Sequence, residues 1–281
     1  LFRSGEFCYF DSYQDAPDSQ PEAIGGYLPL SKVYSFNPVP DTLSADKVQL
    51  VYGVQANLFT EYIPTPEHAE MMIYPRILAL AEVAWSAPSV KNYDDFHVRA
   101  LKEVEALKAE GYHPFELKNE IGNRPGADQP VQHLAVGKKV AYGPDAAYYP
   151  GYSAGGDSAL VDGVIGGWTY GDRRWQGFID KKRMDVTIDM EKETEIHSVG
   201  ADFMQVCGPE VFMPSEVIIS VSNDGKEFTE LKRMEHKVVK DDKVTFINFG
   251  WEGNAKARYI RYQASSGEFG GFLFTDEIVV K

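Results

Sequence analysis

Two kinds of hydrophobic spacing divide the chain. Between residues 65 and 110, apolar side chains recur every three or four positions, which is typical of amphipathic helices that cover one side of a sheet. After residue 131, short stretches such as 185–189 and 216–222 alternate apolar and polar positions, which is typical of strands with one buried face. The pattern therefore predicts a helical first part and an all-β second part.

The helical part contains two predicted helices. The first begins at Thr65, a good N-cap, with Pro66 in the first helical position and Glu67 beside the positive end of the dipole. The second runs from about residue 94 to 110 and stops at Gly111, a natural left-handed cap. The first helix carries its apolar stripe at Ile73, Ile77, Leu80, Ala81 and Ala84, and the second at Leu101, Val104 and Leu107.

Two short apolar runs precede these helices, at residues 7–10 and 48–58, and each ends in polar or acidic residues. Buried strands followed by amphipathic helices predict β/α units, in which functional residues lie where the strands end. A polar segment rich in Gly and Pro, residues 119–130, predicts a linker. We therefore expect one domain over residues 1–120 and another over residues 131–281.

Composition narrows the range of partners. A formal charge of −14, from 42 acidic and 28 basic residues, opposes binding to nucleic acid or to anionic membrane surfaces. The sequence contains no run of eighteen apolar residues, so insertion into a membrane is not predicted. The two cysteines lie far apart and do not predict a disulfide framework. Because the sequence begins with neither Met nor a signal-peptide core, we expect it to be a piece of a longer chain.

Three motifs in the first part carry the candidate chemistry. They are Tyr9-Phe10-Asp11, the stretch Gly53-Val-Gln-Ala-Asn-Leu-Phe-Thr-Glu61, and the stretch Tyr74-Pro-Arg-Ile-Leu-Ala-Leu-Ala-Glu-Val-Ala-Trp85. In this order they closely resemble the last barrel strands of glycoside hydrolase family 20 and the helix that follows them. The resemblance implies the C-terminal part of a (β/α)8 TIM barrel.

The resemblance also implies a mechanism, in which the substrate's own acetamido oxygen attacks the anomeric carbon, an exception to hydrolysis by two carboxylates. Tyr9 would orient that acetamido group, and Asp11 and Glu61 would accept hydrogen bonds from the 4- and 6-hydroxyls of the terminal sugar. Phe59 stands where the family has Trp, which keeps a stacking face but removes area and the indole donor. Without the resemblance, spacing alone would favour a structural interpretation, in which Tyr9 and Asp11 close a β/α loop and Glu61 caps the next element.

Residues of the covering helix are expected to be structural. We expect Arg76, Glu82 and Trp85 to make buried packing and ion-pair contacts rather than to bind substrate.

The adjacent Asp-Glu pair of this family, which supplies the general acid, has no counterpart in the first part of the sequence. The pair Asp276-Glu277 lies in the predicted last strand of the second part and belongs to another motif. We therefore expect that the chain lacks the catalytic pair, is inactive alone and needs the N-terminal part of the barrel as a partner.

The second part resembles the coagulation factor 5/8 type C, or discoidin, fold. The resemblance is carried, in order, by Leu160-Val-Asp-Gly163, Arg174-Trp-Gln-Gly-Phe178, Val186-Thr-Ile-Asp189, Met213-Pro-Ser-Glu-Val-Ile-Ile-Ser-Val-Ser-Asn-Asp-Gly225, Ala257-Arg-Tyr-Ile-Arg261 and Phe274-Thr-Asp-Glu-Ile278. It implies a jelly-roll β-sandwich. Proteins of this fold bind sugars, lipids or proteins, or only pack against a neighbouring domain.

Two groups of aromatic residues are distinguished in the predicted sandwich. Trp168 and Tyr170, in a Gly-rich loop, and Phe272, which follows another, are candidates for stacking on a pyranose, although they could also only cover the end of the sandwich. The core is predicted to contain Trp175, Phe178, Ile188, Val221 and Ile260.

Metal chemistry is expected only in the second part. The resemblance implies a structural calcium held by Asp162 and Glu277, with Asp157 as a further candidate ligand and backbone carbonyls completing the shell. No Cys or His cluster has the spacing of a zinc site. Catalysis itself is expected to need no cofactor.

The resulting functional hypothesis is part of a β-N-acetylhexosaminidase that acts on N-acetylhexosamine-containing glycans and is exported by a bacterium. The alternatives are a non-catalytic glycan-binding protein that uses the discoidin-like part, and a sandwich that binds nothing.

Overall fold

The chain divides into two compact units, Leu1–Gly122 and Asn123–Lys281. The structure is a computed structural model that describes residues 6–40, 42–144, 146, 148–179 and 184–281. Each unit has its own cluster of buried apolar side chains. Most of the segment predicted as a linker belongs to the second unit, where Arg124 is only 5% exposed. The boundaries 120 and 131 stay predictions.

The first unit is mainly helical. Its α-helices are α1 (Leu30–Ser35), α2 (Pro66–Ile73), α3 (Arg76–Trp85) and α4 (Tyr93–Ala109), and its short 3₁₀ segments are Pro17–Ser19, Ala45–Leu50, Pro88–Val90 and Leu117–Asn119. Its core is formed where residues of α1, α3 and α4 pack together, including Val33, Leu80, Phe96 and Val104. This arrangement follows from the apolar stripes of the helices.

One long helix was predicted where the structure has two. α2 begins as expected, because the Thr65 hydroxyl accepts a hydrogen bond from the backbone N–H of His68 at 3.2 Å. The helix ends at Ile73, and Tyr74 is extended ahead of Pro75. A residue before proline disfavours the helical conformation, and proline itself lacks an N–H, so the prediction of a continuous helix is wrong.

The second predicted helix is confirmed as α4. Its N-cap is Asn92, whose side-chain oxygen accepts a hydrogen bond from the Asp95 backbone N–H at 3.1 Å. The helix stops at Ala109, and Gly111 follows with φ of +91°, which a residue with a side chain adopts only at a cost.

The predicted strands of the first unit are reduced to a short parallel contact. Phe10 N–H donates to the Asn57 carbonyl, and Asn57 N–H donates to the Cys8 carbonyl, both at 2.8 Å. The pairing is parallel, as in a β/α unit, but the start of the second predicted strand is wrong. Residues Ala45–Leu50 form an exposed 3₁₀ segment instead.

The second unit is all-β, as predicted. Its strands are β1 (Lys139–Tyr142), β2 (Gln176–Ile179), β3 (Met184–Gln205), β4 (Pro214–Ser222), β5 (Thr229–Glu235), β6 (Thr245–Ser266) and β7 (Phe272–Val280), and its 3₁₀ segments are Pro150–Tyr152, Ala159–Val161 and Tyr170–Asp172. The strand order is β2-β7-β3-β6-β4-β5, with β1 added to β3, and every strand pair is antiparallel.

Two long strands organise this unit. β3 and β6 have 22 residues each and pair with one another on both sides of bulges between Asp189 and Thr194 and between Ile196 and Ser198. The N-terminal part of β3 also pairs with β1, and its C-terminal part pairs with β7. Bulges bend strands, so the one hydrogen-bonded sheet can enclose a core.

The core of the second unit contains all the residues predicted for it. The predicted residues are at most 9% exposed: Trp175, Phe178, Ile188, Val221 and Ile260. The alternation of apolar and polar positions was therefore sufficient to identify inward-facing side chains.

Candidate functional site

The parallel contact of the first unit positions two aromatic rings. Tyr9 pairs with Asn57, and Phe59 lies two residues further along that segment. The Tyr9 and Phe59 rings are 5.9 Å apart between centroids and are inclined by 26°. Phe59 is 52% exposed. The pair forms an aromatic wall beside the end of the first strand-like segment.

Asp11, two residues after Tyr9, is 6% exposed. Its Oδ1 atom is buried without a hydrogen-bond partner among the described residues. Burial raises the pKa of the carboxyl group, the nearby charge of Glu61 raises it further, and the charge of Arg76 opposes both. The structure therefore brings Asp11 and Glu61 within electrostatic reach of each other and leaves one buried oxygen of Asp11 without a hydrogen-bond donor among the described residues.

Arg76 is fully buried beneath the segment that carries Asp11. Its guanidinium donates to the main-chain carbonyls of Phe10, Ser12, Leu28 and Met72, and it lies 5.0 Å from the centre of the Phe10 ring. Burial lowers the pKa of Arg76 to about 9. The expectation of a buried position is confirmed, but the hydrogen bonds of Arg76 go to main-chain oxygens rather than to a carboxylate.

The other two covering-helix residues differ from each other. Glu82 accepts hydrogen bonds from Arg99, at 2.7 and 3.0 Å, and from the Tyr34 hydroxyl at 2.8 Å, which confirms the expected ion pair. Trp85 is 93% exposed, so the expectation that it packs in the interior is wrong. The buried stripe of α3 passes through Leu80 and Val83, and Trp85 lies off that stripe.

The three aromatic candidates of the second unit all contact one hydrophobic cluster, which contains Phe274 and Phe246. The Tyr170 ring stacks on Phe274 at 4.8 Å, and Phe272 lies 5.4 Å from Phe274, so both belong to one cluster that also contains Tyr152. Trp168 instead meets the edge of Phe246 at 5.6 Å. All three candidates are half-buried. Their rings are held by neighbouring aromatics, and their role in sugar binding stays a prediction.

The two predicted calcium ligands are neighbours. Glu277 is buried, and its Oε1 is 2.7 Å from His133 Nε2 and accepts from the Gly163 N–H at 2.9 Å. Its Oε2 is buried without a hydrogen-bond partner in the described structure. Burial raises the pKa of both carboxyls, and the negative charge of Asp162 raises that of Glu277 further.

The turn beside Glu277 has a specific backbone requirement. Gly163 has φ of +80°, and a Cβ there would lie 2.7 Å from the Val131 carbonyl oxygen. Asp157 is occupied elsewhere, accepting from the Tyr148 hydroxyl at 2.8 Å. Within the described ranges, no three His, Cys, Asp or Glu side chains are grouped as a metal site. The side chains thus offer two carboxylates, and main-chain oxygens would have to supply the rest of a calcium shell.

Sequence reasoning missed a buried ionic cluster around Arg124. This residue donates to the carboxylates of Asp276 and Asp202, and its guanidinium lies 4.8 and 4.9 Å from the ring centres of Trp175 and Phe246. Burial raises the pKa of Asp276 to about 6, against the opposing charge of Arg124. Asp276 therefore has a structural role, consistent with its assignment outside the catalytic pair.

No helix in the described part of the chain is long and apolar enough to span a bilayer.

Comparison with known proteins finds a different similarity for each part of the chain. Residues 1–88 match the family model of the glycosyl hydrolase family 20 catalytic domain, and residues 145–278 match that of the F5/8 type C domain. A Beta-hexosaminidase of Porphyromonas gingivalis (strain ATCC BAA-308 / W83) is 49% identical over 88 residues, which are 31% of this chain and 11% of that protein. A Beta-N-acetylhexosaminidase of Cellulomonas fimi is 31% identical over 104 residues, 37% and 21% of the respective chains.

These matches thus span about a tenth and a fifth of the two relatives' lengths. Among solved structures, chitosan-binding module 1 of a chitosanase/glucanase from Paenibacillus sp. IK-5 has 16% identity and a TM-score of 0.37, covering 54% of this chain and 99% of that one. A Clostridium perfringens protein, CpGH89CBM32-5, solved in complex with GalNAc-beta-1,3-galactose, has 18% identity and a TM-score of 0.37, covering 53% and 99%. Both resemblances found in the sequence are confirmed by the family matches.

Proposed function

We propose that the chain is part of a β-N-acetylhexosaminidase, because residues 1–88 match the glycosyl hydrolase family 20 catalytic domain and residues 145–278 match the F5/8 type C domain. In this proposal the first unit contributes contacts to the terminal N-acetylhexosamine. The general acid comes from the N-terminal part of the barrel, which is the expected partner of this chain.

The observation that carries the proposal is the unpartnered oxygen of Asp11. A buried carboxylate oxygen without a donor is unfavourable, and a sugar hydroxyl would satisfy it. Hydrogen bonds to charged groups contribute about 1.5–3 kcal/mol each. Glu61 is exposed and acts electrostatically on Asp11, and in this proposal it would accept a hydrogen bond from a second hydroxyl of the same sugar.

Tyr9 has the chemistry to orient the acetamido group. Its ring is supported by Phe59, and its hydroxyl would donate to the acetamido oxygen, the nucleophile of substrate-assisted hydrolysis. A donor that stabilises charge developing on that group acts mainly in the transition state. In the complete enzyme, Tyr9 would therefore affect turnover more than ground-state binding.

The test measures binding of N-acetylglucosamine by the full chain, for instance by NMR titration. Asp11→Asn and Glu61→Gln keep side-chain size but remove the charge, so each should weaken binding about tenfold, as expected from the loss of a charged hydrogen bond. Asp95→Asn, on the exposed start of α4, is the matched control and should have no effect.

Turnover gives an independent test. The chain alone should not hydrolyse a chromogenic N-acetylglucosaminide above the buffer rate, because a general acid typically increases the reaction rate by on the order of 10²- to 10⁴-fold.

In the binding test, sugar affinity that is unchanged in both Asp11→Asn and Glu61→Gln would contradict the assignment of these residues.

The alternative function is glycan binding by the second unit. It is favoured by the aromatic rings of Tyr170 and Phe272, which share one half-exposed cluster. Tyr170→Ala and Asp11→Asn separate the two functions in the full chain. If Tyr170→Ala removes glycan binding and Asp11→Asn does not, the non-catalytic alternative is favoured.

Two further features of the proposal follow from the families. Asp162 and Glu277 would hold a structural calcium, for which the unpartnered Glu277 Oε2 is an available ligand. An enzyme that acts on extracellular glycans would be exported, so we propose a periplasmic, cell-surface or secreted location in a bacterium. No cofactor is needed for the hydrolysis itself.

A further inference from the structure

Arg76 donates hydrogen bonds to the carbonyls on both sides of Asp11, the candidate sugar contact. We infer that Arg76 is a positioning residue for Asp11: it fixes the peptide units on both sides of this residue and supplies the positive charge behind its carboxylate. The inference rests on the proposed function in that Asp11 is taken to receive a sugar hydroxyl.

The hydrogen bonds of Arg76 bracket Asp11. One guanidinium nitrogen donates to the Ser12 carbonyl at 2.9 Å, and the other terminal nitrogen donates to the Phe10 carbonyl. These carbonyls belong to the residues immediately before and after Asp11, so the main chain that carries the carboxylate is held from both sides. The Phe10 ring covers the guanidinium at 5.0 Å.

The other contacts of Arg76 connect this segment to its surroundings. Arg76 donates to the Met72 carbonyl at the end of α2, at 3.0 Å from Nε, and to the Leu28 carbonyl, just before α1, at 3.2 Å. Arg76 itself is the first residue of α3. Four segments therefore converge on one planar group with five N–H donors, an arrangement that a lysine ammonium cannot reproduce.

The charge of Arg76 acts on Asp11 as well. The charged side chains that influence Asp11 are Glu61, which raises its pKa, and Arg76, which lowers it, while burial has the largest effect and raises it. A sugar hydroxyl donates best to the ionised carboxylate, so binding should be lost as the pH falls through the pKa of Asp11. Removing the charge of Arg76 should move that loss to higher pH.

A purely structural role for Arg76 would leave this titration unchanged. The experiment follows the side-chain carboxyl signals of the full chain, labelled with ¹³C at aspartate, as a function of pH. Asp11 is assigned by the signal missing in Asp11→Asn. Binding of N-acetylglucosamine is titrated on the same samples, so that carboxyl ionisation and sugar affinity are measured together.

Two variants separate charge from geometry. Arg76→Gln should raise the titration midpoint of Asp11, because a neighbouring opposite charge is removed. Arg76→Lys keeps the charge but not the fork, so the midpoint should change less while the sugar affinity falls about threefold or more. The control is Arg99→Gln, because the Arg99 guanidinium pairs with Glu82 on the exposed side of α3. This substitution should change neither the Asp11 midpoint nor the sugar affinity.

The outcomes are distinct. A folded Arg76→Gln with an unchanged Asp11 midpoint overturns the inference. If Arg76→Gln does not give the dispersed spectrum of a folded protein, Arg76→Lys decides, and an unchanged sugar affinity in that variant overturns the inference. If Asp11→Asn leaves sugar affinity intact, the proposed function fails, and the positioning role is judged from the Asp11 midpoint alone.

Discussion

At the scale of single residues, Arg124 is the clearest case of a buried charge that depends on its partners. Its guanidinium is enclosed by two aromatic rings and two carboxylates. Taking such charges out of water is costly, so the cluster is favourable only when it is complete. Loss of one partner leaves the others buried and uncompensated.

Arg124→Leu should therefore lower the free energy of unfolding of the second unit by about 3–5 kcal/mol, the range for breaking a buried ion pair. Urea unfolding followed by the fluorescence of Trp175, which Arg124 contacts, would measure this. Arg258→Leu is the matched control, because Arg258 forms a solvent-exposed pair with Asp189 and should contribute little. Equal effects of the two substitutions would contradict the assignment.

The sequence identified some of these residues and not others for a physical reason. Tyr9, Asp11 and Glu61 stand in motifs with fixed spacing, so the candidate sugar contacts could be found before the structure. Arg124 lies in a polar segment rich in Gly and Pro, where nothing local distinguishes a buried arginine from a solvated one. His133, which meets Glu277 across 144 positions of sequence, was missed because long-range contacts leave no periodic signal.

At the scale of secondary-structure elements, the outcome depended on how local each determinant is. The Thr65 cap and the end of α4 were predictable because caps act within a few residues. The lengths of β3 and β6 were not, because exposed residues near Glu191 interrupt the alternation that defines a strand in sequence. Only pairing with neighbouring strands shows that each segment continues through its bulge.

The link between the Asp162 turn and β7 can be tested with calcium. If Asp162 and Glu277 bind the ion, it should stabilise the folded state by about 2.7 kcal/mol at a hundredfold excess over Kd. Thermal melts of the full chain should then shift upward with calcium, and Glu277→Gln should remove most of the shift. A melting temperature that responds to neither calcium nor chelator would favour the contact with His133 as the only role of Glu277.

At the scale of the whole molecule, the chain consists of two units with separate cores. Hydrophobic periodicity was enough to predict this division, since helical and strand patterns occupy different halves of the sequence. The edge of the second unit was harder to predict, because its first residues have the composition of a linker but include buried Arg124.

The position of that edge has a measurable effect. A chain trimmed to residues 131–281 should melt roughly 6–20 °C below one trimmed to 123–281, because it lacks Arg124 and leaves Asp276 buried without its partner. Calorimetry of the two trimmed chains would measure the difference. Adding Asp276→Asn to the shorter chain should recover part of it, and equal melting temperatures would show that residues 123–130 do not stabilise the second unit.

The exposure of Trp85 gives the first unit an optical signal of its own. The other tryptophans, Trp168, Trp175 and Trp251, all lie in the second unit and are buried or half-buried. A water-exposed indole emits at longer wavelength and is more readily quenched by a soluble collider than a buried one. The tryptophan fluorescence of this chain should therefore contain a longer-wavelength, quenchable component from the first unit and a shorter-wavelength, protected component from the second. A protein that covers α3 would shift only the first component.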